Sequence, residues 1–147
     1  MDTTHLIIAT TFAPFVSFVI AILFLHRSPR LAQAIVITGA AVALGCAVQL
    51  WLAGPVEPLR YLWFTSGAIE LHFGFLLDGL NLMFGVVVAL ITLCVIIYSV
   101  GYMAHDPSKT RYFALLAFFE WAMLSFVYAV DLLQSFIFWE LVGLASF

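Results

Sequence analysis

Apolar residues run along this chain in long unbroken stretches. Residues 6–25 are twenty positions without a charge, residues 31–54 are twenty-four, and residues 79–103 are twenty-five. At about 1.5 Å per residue, each stretch can cross a hydrocarbon layer of about 30 Å as a helix. Helix is expected because a lipid-exposed chain must satisfy its own backbone hydrogen bonds, and the alternation of a barrel strand is absent. Residues 112–130 are a fourth run, broken only by Glu120. A fifth starts near Leu132, carries Glu140 and reaches Phe147 in mid-pattern. The predicted fold is all-α, a polytopic transmembrane helical bundle of about five spans. The unfinished last run suggests a fragment of a larger subunit.

The polar positions separate these runs. His26-Arg27-Ser28-Pro29-Arg30 is a tight basic loop with Pro29 as breaker. Residues 54–70 form a longer connection with Pro55, Pro58, Glu57, Arg60 and Glu70, and its Tyr61, Trp63 and Phe64 suit a membrane interface. Residues 104–110 form a third loop, followed by Arg111, and the fourth connection is a short turn around Asp131. Four of the five cations, Arg27, Arg30, Lys109 and Arg111, fall in or beside the first and third loops. By the positive-inside rule those loops face the cytoplasm, and the N-terminus, the Trp63 connection and Asp131 face outward. Asp2 and His5 stand where a cleavable export signal would carry Lys or Arg, so the first helix is expected to be retained. Small residues crowd the second run, and Gly39 and Ala43, four apart, allow close helix approach, preferably within the chain.

Composition narrows the class. Of 147 residues, 65% are apolar and 9% charged, more apolar surface than one small soluble core can bury. The net charge of −3, with only five Lys and Arg, provides no phosphate-binding surface, so nucleic acid is not an expected partner. The lipid bilayer is. Cys46 and Cys94 lie inside apolar runs and read as buried thiols rather than a bridge. His5, His26, His72 and His105 are too scattered to suggest a metal site, and no nucleotide or redox motif is present.

Candidate chemistry rests on acids inside the runs. Glu120 and Glu140 each lie about ten residues from the Asp131 turn, near mid-membrane. An anion there costs a few kcal/mol by insertion scales, about 2.5–3.5. Such groups can take and release a proton as their surroundings change. The bland reading is a hydrogen-bonded carboxyl that only joins helices. The two glutamates are expected at similar depth on antiparallel neighbours, close enough to couple. Asp78 reads as an interfacial helix cap, with Asn81 free to bind a neighbouring loop. Ser99, Tyr98 and Tyr102 read as packing and hydrogen-bonding groups.

Several of these residues fall on a pattern. Phe75-Leu76-Leu77-Asp78-Gly79-Leu80-Asn81 resembles the start of the antiporter-like module of respiratory complex I, NADH:quinone oxidoreductase. Tyr98-Ser99, Tyr102-Met103 and Arg111-Tyr112-Phe113 continue the likeness. Asp131-Leu132-Leu133-Gln134 and Phe138-Trp139-Glu140-Leu141-Val142-Gly143-Leu144 are most similar to the L-subunit branch, equivalent to mitochondrial subunit 5. The resemblance implies that Glu140 belongs to a proton pathway and that later helices with a partnering lysine are needed to complete it. It implies a division into 1–74, two N-terminal helices and an outer connection, and 75–147, the start of the proton-translocating module. Asp78, Asp131, Arg111 and Trp139 are expected in structural or interfacial roles. Other membrane subunits are implied as partners, and a bacterial inner membrane with the N-terminus outside as location. No cofactor is implied in this chain, whereas the parent complex would use NADH, flavin, iron–sulfur clusters and quinone. Glu120 is no part of the family pattern. The rival readings are a subunit of a multisubunit sodium/proton antiporter or a related hydrogenase or inorganic-carbon uptake complex, and a non-catalytic membrane scaffold.

Overall fold

A computed structural model describes residues 3–25, 27–66 and 69–147. Asp2 and His26 of the sequence reading lie outside the described residues. The elements are α1 (Thr3–Phe24), α2 (Pro29–Ala53), β1 (Val56–Ser66), β2 (Ile69–Leu77), α3 (Gly79–Tyr102), α4 (Lys109–Val127) and α5 (Leu132–Ser146). The first four helices are long and apolar enough to cross a membrane, while α5 is a shorter apolar helix. The helical boundaries follow local chemistry. Pro29 opens α2, where its missing N–H costs nothing. Gly54, at φ 86°, closes α2 with its N–H shared between the Leu50 and Trp51 carbonyls.

The helices pack as an antiparallel bundle. α1 lies against α2 and α4, α2 also meets α3 and α4, and α5 lies against α4. Buried residues collect into two clusters. One, with Leu6, Ile7, Leu50, Leu77, Leu82, Leu124 and Tyr128, sits at the end nearest the strands. The other, with Ala21, Ala32, Val36, Ile96, Phe113 and Ala117, lies toward the loops of Arg27 and Lys109. Large apolar side chains such as Phe12, Val16, Leu90 and Ile91 stay exposed on the perimeter, as a lipid-facing surface allows.

The small residues of α2 are an internal seam. Gly39, Ala40, Ala43 and Ala47 are all buried. A Cβ on Gly39 would collide with the Ser17 hydroxyl and lie 3.2 Å from the Ala13 carbonyl oxygen. The close approach is therefore made by α1 of the same chain.

The connection of residues 54–70 departs from the expectation of a loop. It is most of an antiparallel hairpin, β1 paired with β2 from Val56↔Leu77 to Ser66↔Ile69. Two signals hid it. The ladder is irregular between Val56 and Leu59, where Pro58 cannot donate, and between Leu62 and Phe64. The second irregularity breaks the period-two pattern, so Tyr61, Leu62, Trp63 and Phe64 read as an apolar cluster rather than a strand.

The two glycines of α2 should respond in opposite ways. Gly39→Ala overpacks the α1–α2 seam and should cost about 1–3 kcal/mol. Gly45→Ala meets nothing within 4 Å and should gain about 0.5–1 kcal/mol from helix propensity. Thermal unfolding of both variants in detergent measures the contrast.

Candidate functional site

Glu120 sits inside α4, about 16 Å along the axis from Lys109 and about 10 Å from Val127. It is fully buried, and neither carboxylate oxygen has a hydrogen-bond partner among the described residues. The neighbouring helices supply its level. Tyr112 of α4 and Tyr128, the residue that caps its end, each lie eight residues from Glu120. On α3, Ser99 hydrogen-bonds the Tyr112 hydroxyl at 3.1 Å, and Gly85 leaves room only for the Tyr128 ring. Thr92 is the midpoint of Gly85 and Ser99, so it lies at the level of Glu120. On α1, the ring pairs Phe15–Trp121 and Phe18–Phe118 bracket Glu120 and bring Ser17 to the same level. Thr92 and Ser17 are buried polar groups as well. Thr92 also lines a groove of about 530 Å³ between α3, α4 and the end of α5, shared with Tyr112, Phe119 and Ser146. A mid-bundle layer therefore holds an acid and two hydroxyls in otherwise apolar packing.

Glu140 is placed differently. The buried face of α5 consists of Gln134 and Phe138, one turn apart. Phe138 meets Trp121 of α4 edge-on at 5.4 Å and Phe73 of β2 at 6.0 Å. Glu140, two residues on, is about 200° around the helix and exposed, beside the exposed Phe136, Trp139 and Leu144. The coupling expected between the two glutamates is therefore not formed. Equal chain distance from the turn sets equal depth, but not the direction in which each side chain leaves its helix.

The corner between α4 and α5 carries a feature that sequence reasoning missed. It completes the free edge of β2. The Leu76 N–H donates to the Tyr128 carbonyl at 2.8 Å. The Gly74 N–H donates to Gln134 Oε1 at 3.0 Å, and Gln134 Nε2 donates back to the Gly74 carbonyl at 2.9 Å. The His72 N–H donates to Asp131 Oδ2 at 3.1 Å. Residues 72, 74 and 76 are the alternate positions whose backbone groups point away from β1. The available signal was Gln134 itself, an amide in an apolar run, which needs a partner when buried.

The remaining candidates lie apart. Asp78 caps α3, its Oδ1 accepting the Asn81 N–H at 2.8 Å, and Asn81 Nδ2 donates to the Leu76 carbonyl at 3.0 Å. Arg111 is exposed at the opposite end of the bundle, beside a shallow pocket with Ile22 and Pro107. Trp139 is exposed next to Phe136. Ser99 Oγ donates to the Val95 carbonyl at 2.7 Å, and Tyr98 stacks on Tyr102.

Fold and site together define an integral membrane helical bundle with ionisable groups inside apolar helices. Comparison with known proteins narrows the class. Residues 63–113 match the family described as NADH-ubiquinone oxidoreductase (complex I), chain 5 N-terminus. The chain is 42% identical over 85 residues to NAD(P)H-quinone oxidoreductase chain 5 of Picosynechococcus sp., covering 58% of this chain and 13% of that protein. It is 40% identical over 105 residues to the chloroplastic subunit 5 of Flaveria ramosissima, covering 71% of this chain and 14% of that protein. The chain thus spans about an eighth of the length of the curated relatives it matches. It is related to the chain 5 subunits of complex I, in agreement with the motifs. The fold also matches a chain of the membrane-bound sulfane sulfur reductase, an archaeal respiratory membrane complex. That match has a TM-score of 0.72 at 22% identity over 95% of this chain and 22% of that one.

The hairpin contact carries a pH signature. The His72 N–H holds the Asp131 carboxyl below its usual value of 3.8. Asp131 therefore favours the contact at every pH above that value, and its contribution is lost as pH falls through its own lower value. An NMR titration of the His72 amide should show a midpoint below 3.8, and Asp131→Asn should abolish it. A midpoint at or above 3.8 would mean that the bond does not form.

Proposed function

We propose that this chain forms part of a proton-translocating membrane subunit of an NAD(P)H:quinone oxidoreductase of the complex I type. The observation that carries the reading is Glu140, a carboxylate at the middle of an apolar helix in a chain related to chain 5. Its chemistry is reversible protonation. Glu140 is the main carrier, on a face of α5 open to groups beyond the described bundle. Residues 75–147 begin the translocating module, and 1–74 supply the two flanking helices and an outer segment. The subunit works beside other membrane subunits in a bacterial inner membrane, with the N-terminus outside.

Glu120 is a second carrier in this reading. It is fully buried, and neither of its oxygens bonds a neighbouring helix among the described residues. Ser17 and Thr92 are buried polar groups at its level, with the Ser17 hydroxyl donating to the Ala13 carbonyl at 2.9 Å. NADH, flavin, iron–sulfur clusters and quinone belong to the parent complex. The thiols here do not fit a cluster, which takes four ligands, since Cys46 is buried on α2 and Cys94 exposed on α3.

Two variants of the assembled complex test the assignment. Glu140→Gln should lower proton translocation at least about ten-fold while the subunit remains assembled, and unchanged pumping would remove Glu140 as carrier. Glu120→Leu should raise thermal stability by about 1–3 kcal/mol, by removing an unpartnered buried acid, and should lower translocation. A stability gain with full translocation would leave Glu120 without a proton-carrying role.

A further inference from the structure

α5 is held unlike the other helices. It packs on α4 and touches β2, and only Gln134 and Phe138 of its fifteen residues are buried. The Phe138 ring meets Trp121 edge-on and Phe73 at a tilt, geometries that aromatic pairs prefer but hold over a broad range of angles. They hold the helix against the bundle and set its rotation only loosely. The Gln134–Gly74 pair is directional. Two hydrogen bonds of opposite sense, 3.0 and 2.9 Å long, join a flat side-chain amide to the N–H and the carbonyl of Gly74 in β2, groups of two successive peptide units. Both bonds form together only at one rotation and one height of α5. The Gly74 backbone cannot retreat, because it lies so close to β1 that a Cβ there would collide with the Leu59 carbonyl. The Asp131–His72 bond ties down the start of α5 but sits before its first turn. Glu140 lies six residues beyond Gln134, about 9 Å along the same rigid helix. Any rotation allowed at Gln134 turns Glu140 through the same angle.

We propose that Gln134 is a positioning residue for Glu140, its two-bond clamp on the Gly74 backbone setting the direction in which the Glu140 carboxyl leaves α5. The proposal rests on reading Glu140 as a proton carrier. Gln134→Met keeps the side-chain length and removes both bonds. Gln134→Glu keeps the acceptor for the Gly74 N–H and loses the donor.

The experiment uses the assembled parent complex with three readouts. Hydrogen–deuterium exchange at Gly74 reports the clamp, a nitroxide on Glu140→Cys in a chain that also carries Cys94→Ser reports the direction of residue 140, and protons moved per electron, measured in unlabelled chains that keep Glu140, report function. In Gln134→Met, Gly74 should exchange at least about ten-fold faster, as expected for a buried N–H losing its partner. The nitroxide should change its oxygen accessibility, and the proton-to-electron ratio should fall. Gln134→Glu should lie between Gln134→Met and the parent chain in all three, and it carries the test alone if Gln134→Met fails to assemble. Unchanged exchange would overturn the clamp. Faster exchange with an unmoved nitroxide, or with a moved nitroxide and an unchanged ratio, would overturn the positioning role. If Glu140→Gln pumps normally while the nitroxide still moves in Gln134→Met, the carrier reading fails and the clamp on α5 stands.

Discussion

A strand placed beside an apolar helical bundle has a free edge, and the peptide groups on that edge need partners where water is scarce. The structure meets this requirement with the corner between α4 and α5. The Tyr128 carbonyl, the Gln134 amide and the Asp131 carboxylate take the places of a third strand along Leu76, Gly74 and His72. Much depends on this one arrangement. It joins the hairpin to the bundle, fixes where α4 ends, and sets the start of α5. It explains why Gln134 is buried in a helix whose other residues are largely exposed. It also needs a glycine at 74, where strand and corner leave no room for a side chain between β1 and β2.

The two intramembrane glutamates show how little depth alone says about environment. Both lie about ten residues from the Asp131 turn. Glu120 is fully buried within the bundle, at the level of Ser17 and Thr92 and of the aromatic pairs of α1 and α4. Glu140 points away from α4 because Gln134 and Phe138 take the opposite face of α5. One acid is thus set within the bundle, the other on a surface that further helices or subunits can meet. In a low-dielectric layer the energy of a charge depends on what stands within a few ångströms. The two sites therefore make different demands on their surroundings although both are glutamate carboxyls.

The helices were legible because their cause is local. Runs of some twenty apolar residues between Pro29, Gly54 and the AHDPSKT loop can do little in a membrane except form helices, and the observed bounds fall within a few residues of the runs. The acids were legible too, since a lone carboxylate in such a run stands out, and the cations marked one end of the bundle. The hairpin was not legible. Pro58 and the irregular step at Trp63 remove the alternation by which a strand is recognised. The relatives of the chain add a family to these features, with the match beginning at Trp63, earlier than the motifs from Phe75 suggested.

The sequence by itself determined the class of fold, the number and order of the helices, and which acids stand inside apolar runs. These follow from length, hydropathy and residue type, each a property of one position or one run. Only the tertiary structure decided that Gln134 binds Gly74, sixty residues away, that Ser17 and Thr92 share a level with Glu120, and that Glu140 faces outward. Those facts depend on how each helix is rotated about its axis. Runs of similar apolar residues would pack in many rotations, and the rotation is settled by close contacts such as Gly39 on Ser17 and Gly85 on Tyr128 and by the few directional hydrogen bonds across the fold.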